Sequence, residues 1–198
     1  MTLVELVLVL TILGVMAGLA WPNLHRFWAD QRIKEATEMV RNNLAGTRNK
    51  AIDAMLIYEF RYELGGNRFL VVPHEAYQLE TNTVDAQGQL TGGDQLYRFA
   101  GTLRKGVVFT VTTTDLSDLG IPVVEEVVPI AEWQLQGLPA ADELGGLKWS
   151  KPILFYPDGS AATSALRIED DAGQQMEITV RGLTGAVSAT PVVEETRL

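Results

Sequence analysis

The sequence predicts an α+β protein in which a long N-terminal helix, partly transmembrane, packs on an antiparallel β-sandwich-like domain. Three observations predict it. An uncharged apolar run opens the chain, a helix-spaced apolar stripe continues beyond it, and after residue 55 the pattern switches to strand alternation broken by turn residues.

The opening stretch, Met1 to Pro22, reads MTLVELVLVLTILGVMAGLAWP, with no charge and one hydroxyl, Thr11, between Leu6 and Trp21. A spanning helix needs roughly 20 predominantly apolar residues, so residues 1–22 are expected to cross a membrane. A secretory signal peptide would carry a basic region first, and no Lys or Arg precedes this run. Trp21, Phe27 and Trp28 bracket its end as an interfacial belt, with Arg26 and Arg32 beside them. Residues 23–54 continue as an amphipathic stem. Ile33, Ala36, Val40, Leu44, Thr47, Ala51 and Met55 recur three or four apart, which lays one stripe along a helix of roughly 80 Å in all. Pro22 lacks a backbone donor and crowds the preceding turn, so a kink is expected there.

Residues 55–198 are expected to form the globular domain. Ile57, Glu59, Arg61 and Glu63 interleave with Tyr58, Phe60, Tyr62 and Leu64 as a half-buried strand, and Gly65-Gly66-Asn67 turns it into a return strand at 69–72. Further strands are expected at 107–112, 152–156, 165–169, 175–181 and 185–189, with turns at Pro157-Asp158-Gly159 and Asp170-Asp171-Ala172-Gly173. Residues 82–95 read as an exposed loop. Residues 114–147, broken by Pro122, Pro129, Pro139 and Gly145-Gly146, read as an irregular insertion with a short edge strand near Trp133.

Charge is unevenly placed. Of the net −9, residues 55–198 carry −10, with ten basic and twenty acidic groups. Such a field repels polyphosphate, so nucleic acid is not an expected partner. The absence of cysteine excludes disulfides and thiolate chemistry. Only His25 and His74 could offer imidazole, and no carboxylates stand around them at ligand spacing. Asp158-Gly159-Ser160 lacks a nucleophile elbow and reads as a turn. Glu169-Asp170-Asp171 lacks the alternating ligands of a calcium loop and reads as a solvated hairpin tip. No catalytic constellation, cofactor or metal site emerges, and an enzyme is not expected.

Glu5 stands out, because a carboxylate in hydrocarbon costs at least a few kcal/mol and usually marks a function. Its candidate partner is an α-amino group at residue 1, in its own chain or in another copy.

Thr2-Leu3-Val4-Glu5-Leu6, the uncharged run behind it, Gly14, Ala17, Ala20 and Pro22 resemble the mature N-terminus of type IV pilins and pseudopilins. Ile153-Leu154-Phe155-Tyr156-Pro157-Asp158-Gly159-Ser160-Ala161 resembles the F-x-P-D-G-S-A strand-turn of the GspH/FimT family of minor pseudopilins. Ile178-Thr179-Val180 and Thr184-Gly185-Ala186-Val187 are similar to its closing hairpin. The resemblance implies a pilin-like fold and a structural subunit at or near the tip of a type II secretion pseudopilus, acting in filament initiation and protein export. It implies that Met1 carries the N-methylated amine left by a prepilin peptidase, with Met in place of the usual Phe. Glu5 would pair with the N-terminus of a neighbouring subunit. The implied partners are other major and minor pseudopilins, inner-membrane lipid, the assembly platform and the peptidase, with the domain in the periplasm of a bacterial inner-membrane protein. The alternative is a minor type IV pilin of pilus assembly or DNA uptake, which predicts a basic strip. Here residues 192–198, VVEETRL, are acidic. A membrane-tethered enzyme or ligand-binding domain is a further rival and predicts a concave pocket of converging polar groups.

Overall fold

The computed structural model describes residues 3–75, 96–110 and 127–192, the side chains of 17–30 excepted. The loop expected at 82–95, the interfacial aromatics, His25, the acidic segment 193–198 and the first half of the irregular insertion fall outside these residues.

Helix α1 (Leu3–Ala54) is 52 residues long, roughly 78 Å at 1.5 Å per residue. It continues on both sides of position 22, so Pro22 does not end it. Its stem buries Ile33, Ala36, Val40, Leu44, Thr47 and Ala51, each at most 2% exposed. Met55, the last member of the expected stripe, is corrected: it is 72% exposed. The helix stops at Ala54. Met55 takes a left-handed conformation (φ 54°), which swings its side chain off the stripe while the chain turns back.

Two four-stranded sheets follow. The first has the order β3-β2-β1-β5 and the second β4-β6-β7-β8. In chain order the strands are β1 (Tyr58–Tyr62), β2 (Arg68–Pro73), β3 (Phe99–Thr102), β4 (Val107–Thr110), β5 (Ile153–Phe155), β6 (Ser164–Asp170), β7 (Gln175–Val180) and β8 (Val187–Pro191). All strand pairs are antiparallel. One main core unites the stem with the inner faces of both sheets: Tyr58, Phe60 and Tyr62 from β1, Phe109 from β4, Leu166 and Ile168 from β6, Ile178 and Val180 from β7. Phe60 stacks on Phe69 at 5.5 Å and Tyr62 on Phe109 at 5.0 Å between ring centroids.

Strand β3 was not expected from the sequence, because Ala and Gly interrupt its strand-favouring Phe and Thr. Its pairing with β2 places Gly101 opposite Phe69, and the ring lies where a side chain at 101 would project. Glycine is therefore what lets the aromatic core extend under this edge.

The segment expected to hold an edge strand near Trp133 is also corrected. Trp133 lies in a helical turn, α2 (Glu132–Leu135), followed by α3 (Ala141–Gly145). The Gln134 side-chain oxygen accepts the Ala131 N–H at 3.1 Å, which closes the α2 turn. Leu135, Leu144 and Trp149 from this insertion pack on Leu70 and Val72, forming a second core on the outer face of the first sheet. That sheet is thus covered on both faces.

This cover overturns the half-buried reading of β1. Every residue of Tyr58–Tyr62 is buried, and Glu59 and Arg61 are only 0% and 5% exposed. Alternation in β1 separates an apolar core face from a buried ionic face. A local pattern cannot reveal that, because the covering residues lie some seventy positions downstream.

Candidate assembly surface

Surface begins at the N-terminal half of α1. Leu3, Val4, Leu6, Val7, Leu8, Val9, Leu10, Ile12, Leu13, Val15 and Met16 are between 45% and 82% exposed. An apolar helix exposed on all sides has no stable place in water, so this segment needs lipid or other helices around it. Glu5 lies in its first turn and is also exposed. An acid near a helix N-terminus is favoured by the helix dipole, so Glu5 is compatible with helix formation while it breaks the apolar surface. Met1 lies outside the described residues. Among the described residues no helix is long and apolar enough to cross a membrane. Within α1 those side chains end at 16 and resume at 31, so the expected span 1–22 is only partly among them.

At the other end of the stem, the two segments that carry the C-terminal resemblance meet at one side chain. Arg48 Nε donates to the Gly159 carbonyl at 2.7 Å. Gly159 (φ 81°) and Gly185 (φ 59°) both sit in the left-handed region that favours glycine. A side chain at Gly185 would begin 2.6 Å from Arg48 Cδ and 2.6 Å from the Gly159 oxygen. The turns are also joined directly, by the Ala161 N–H to the Gly182 carbonyl at 2.7 Å. Arg48 therefore ties the helix to the end of the first sheet and the β7–β8 turn of the second. Asp158 acts as a local turn former: its Oδ1 accepts the Ser160 hydroxyl at 2.6 Å and the Ser160 N–H at 2.9 Å. These bonds, the hydroxyl's first, hold its carboxyl below the usual carboxylate range. Ser160 is spent in that turn.

Two of the three carboxylates at the β6–β7 tip have structural partners, and Asp170, expected to be solvated, is instead buried. Asp170 Oδ1 accepts the N–H groups of Ala172 and Gln174, both at 2.9 Å, while Glu169 meets Gln175 and Thr110. Among the described residues no group of three His, Asp or Glu side chains could hold a metal ion.

Sequence reasoning missed one cluster. Under the 127–149 insertion, Glu59 Oε1 accepts Arg61 Nε at 2.7 Å and Gln134 Nε2 at 2.8 Å, and Glu59 Oε2 lies 2.7 Å from His74 Nδ1. Arg61 Nη1 donates to the carbonyls of Val128 and Pro129, and Gln134 Nε2 also reaches the Pro73 carbonyl. With its partners satisfied, this network holds the insertion on the sheet. Opposite charges two residues apart on one strand face were the available signal, but they read equally well as a solvated face.

No protein-family model matches this sequence, and no curated protein matches it. Two solved structures of the minor pseudopilin EpsH from the type II secretion system of Vibrio cholerae are similar in fold. One shares 12% identity and covers 83% of this chain and 98% of its own, and the other shares 14% and covers 83% and 97%, both at a TM-score of 0.41. At that identity and TM-score the likeness concerns arrangement and carries no functional inference.

Proposed function

We propose that this chain is a minor pseudopilin, a structural and non-enzymatic subunit of a type II secretion pseudopilus, anchored in a bacterial inner membrane with its domain in the periplasm. The observation that carries the reading is the division of α1. Residues 3–16 expose apolar side chains on every face, while residues 33–51 bury a stripe on the domain. One continuous helix thus joins an exposed apolar half to a folded acidic head, as a subunit stored in a bilayer and then packed into a helical filament requires. Glu5 and the pilin-like N-terminal motif point the same way.

In this reading the apolar segment forms the filament core. Glu5 pairs with the amine at Met1 of a neighbouring subunit, which sets axial register, because either charge left alone in low dielectric is costly. Other pseudopilins and the assembly platform are the partners, and a position at or near the tip follows from the family resemblance. The Arg48 junction lets force applied along the helix reach both sheets.

Intact-mass and N-terminal analysis of protein from native membranes, in wild type and Glu5→Ala, tests the reading. A chain beginning at Met1 with one added methyl group, and lost association with partner pilins in Glu5→Ala, is expected. An unmethylated terminus with association indifferent to Glu5 would overturn it.

A further inference from the structure

The outer face of the first sheet lies under a segment that the sheet does not hold by its backbone. On that face Glu59 and Arg61 of β1 stand opposite Val72 and Leu70 of β2, a patch half ionic and half apolar. Residues 129–147 cover it. The base of this segment is fixed by backbone bonds: Val128 N–H to Trp149 O, Leu64 N–H to Lys148 O and Ser150 N–H to Tyr62 O. Between those points, among the described residues, the segment bonds only to itself, as in Leu138 N–H to Leu135 O and Leu144 N–H to Ala140 O.

The segment also has little structure of its own. Its helices α2 and α3 are four and five residues long. An isolated helix shorter than roughly 12–15 residues is marginal in water. Ala140, which opens α3, sits in the left-handed region (φ 56°) with no side-chain cap, a conformation that its Cβ disfavours. These turns therefore persist because of what they rest on.

Two kinds of contact hold them down. Leu135 and Leu144 pack on Leu70, Val72 and Trp149, a small core separate from the main one. Gln134, only 3% exposed, donates from Nε2 to Glu59 Oε1 at 2.8 Å and to the Pro73 carbonyl at 3.0 Å. Of the three partners of Glu59, Arg61 and His74 lie on the sheet side, and Gln134 alone comes from the segment. Arg61 Nη1 reaches back only to the base, at the carbonyls of Val128 and Pro129. The Arg68–Glu143 pair, at 3.2 Å, is too exposed to add much.

We propose that residues 129–147 are a strap that opens as a unit while both sheets stay folded, with Gln134 as its latch. Opening breaks no sheet ladder and leaves the base closed. It admits water to Glu59 and Arg61, so neither charge is left buried and dry. It uncovers Leu70, Val72 and Trp149, an apolar strip that the closed domain hides. The main core, which unites the stem with both sheets, is untouched, and for that reason the opening lies below global unfolding in free energy. The strap is a property of the domain and does not depend on the filament reading.

The chain has no cysteine, so a single introduced thiol reports alone. In the full-length chain in detergent, Leu144→Cys places a thiol under the strap and Val180→Cys places one in the main core, at positions 3% and 0% exposed. Without denaturant, alkylation at 144 is expected to run at least about tenfold faster than at 180. Gln134→Leu removes a donor to a charged acceptor and should speed the reaction at 144 by about tenfold, leaving 180 unchanged. Amide exchange in the thiol-free chain checks the same contrast with the small core intact. Leu138, Leu144 and Leu147 should exchange ahead of Phe60, Leu166 and Ile178 on the central strands, and Gln134→Leu should widen the gap. Equal rates at the two sites, moving together in Gln134→Leu, would overturn the strap, because the domain then opens only as a whole. Fast reaction at 144 that ignores Gln134→Leu would overturn the assignment of the latch.

Discussion

Single residues in this domain do their work by satisfying one another where water is excluded. Glu59 is fully buried and holds Arg61, Gln134 and His74 around its two oxygens. Glu59→Ala leaves the Arg61 guanidinium buried without its carboxylate and is expected to cost about 3–5 kcal/mol in denaturant unfolding. Glu59→Leu combined with Arg61→Met should cost clearly less than the two single changes added together, since no lone charge remains. Tyr62 gives a pH signature. Burial in the core, where it is 3% exposed, pushes its hydroxyl up to about 12 from an ordinary value near 10. The folded state therefore holds that proton more tightly than the unfolded chain does. Its contribution is fully present below pH 10 and is lost as pH rises through 12, a span worth roughly 3 kcal/mol. Thermal unfolding from pH 9 to 12 should show this decline, and Tyr62→Phe should flatten it.

At the scale of elements, α1 is held by a narrow stripe and one polar tie. Leu44 is 0% exposed among residues of both sheets, so Leu44→Ala is expected to cost about 2–5 kcal/mol through lost contact and a residual cavity. The tie at Arg48 has a different signature. Gly159→Ala meets a left-handed backbone and an Arg48 Nη2 that lies 2.9 Å from the new methyl position. It should cost about 2 kcal/mol or more in the native chain, but only about 1 kcal/mol, the bare conformational penalty, once Arg48→Ala has removed the neighbour. Equal costs in both backgrounds would show that the guanidinium and the turn are not coupled. The insertion with α2 and α3 adds no strand, yet it converts one side of the first sheet from surface into core.

For the whole molecule, the contrast between the two halves of α1 decides behaviour in solution. A variant beginning at Gln31 is expected to stay monomeric without detergent, while the full 198-residue chain requires detergent or lipid. Sedimentation in the presence and absence of detergent checks this. The charge on residues 55–198 sets a second expectation: at about 150 mM salt the domain should leave the anisotropy of a labelled DNA duplex unchanged. Retention of DNA would favour the pilin of DNA uptake over the secretion reading.

Near-neighbour chemistry reaches a long way in this protein. The stem stripe from Ile33 to Ala51, the Gly65 turn, the Asp158 turn and most strands were legible because periodicity and turn preference are properties of adjacent residues. What the tertiary structure alone decided are the pairings between distant segments. Strand β3 exists because β2 recruits a weak sequence over Phe69. Glu59 and Arg61 are buried because residues 127–149 fold back over them. Arg48 gains a role because turns more than a hundred residues away close on it. These pairings are set by where remote chain ends up, because a strand's sequence specifies one face at a time and never its neighbour.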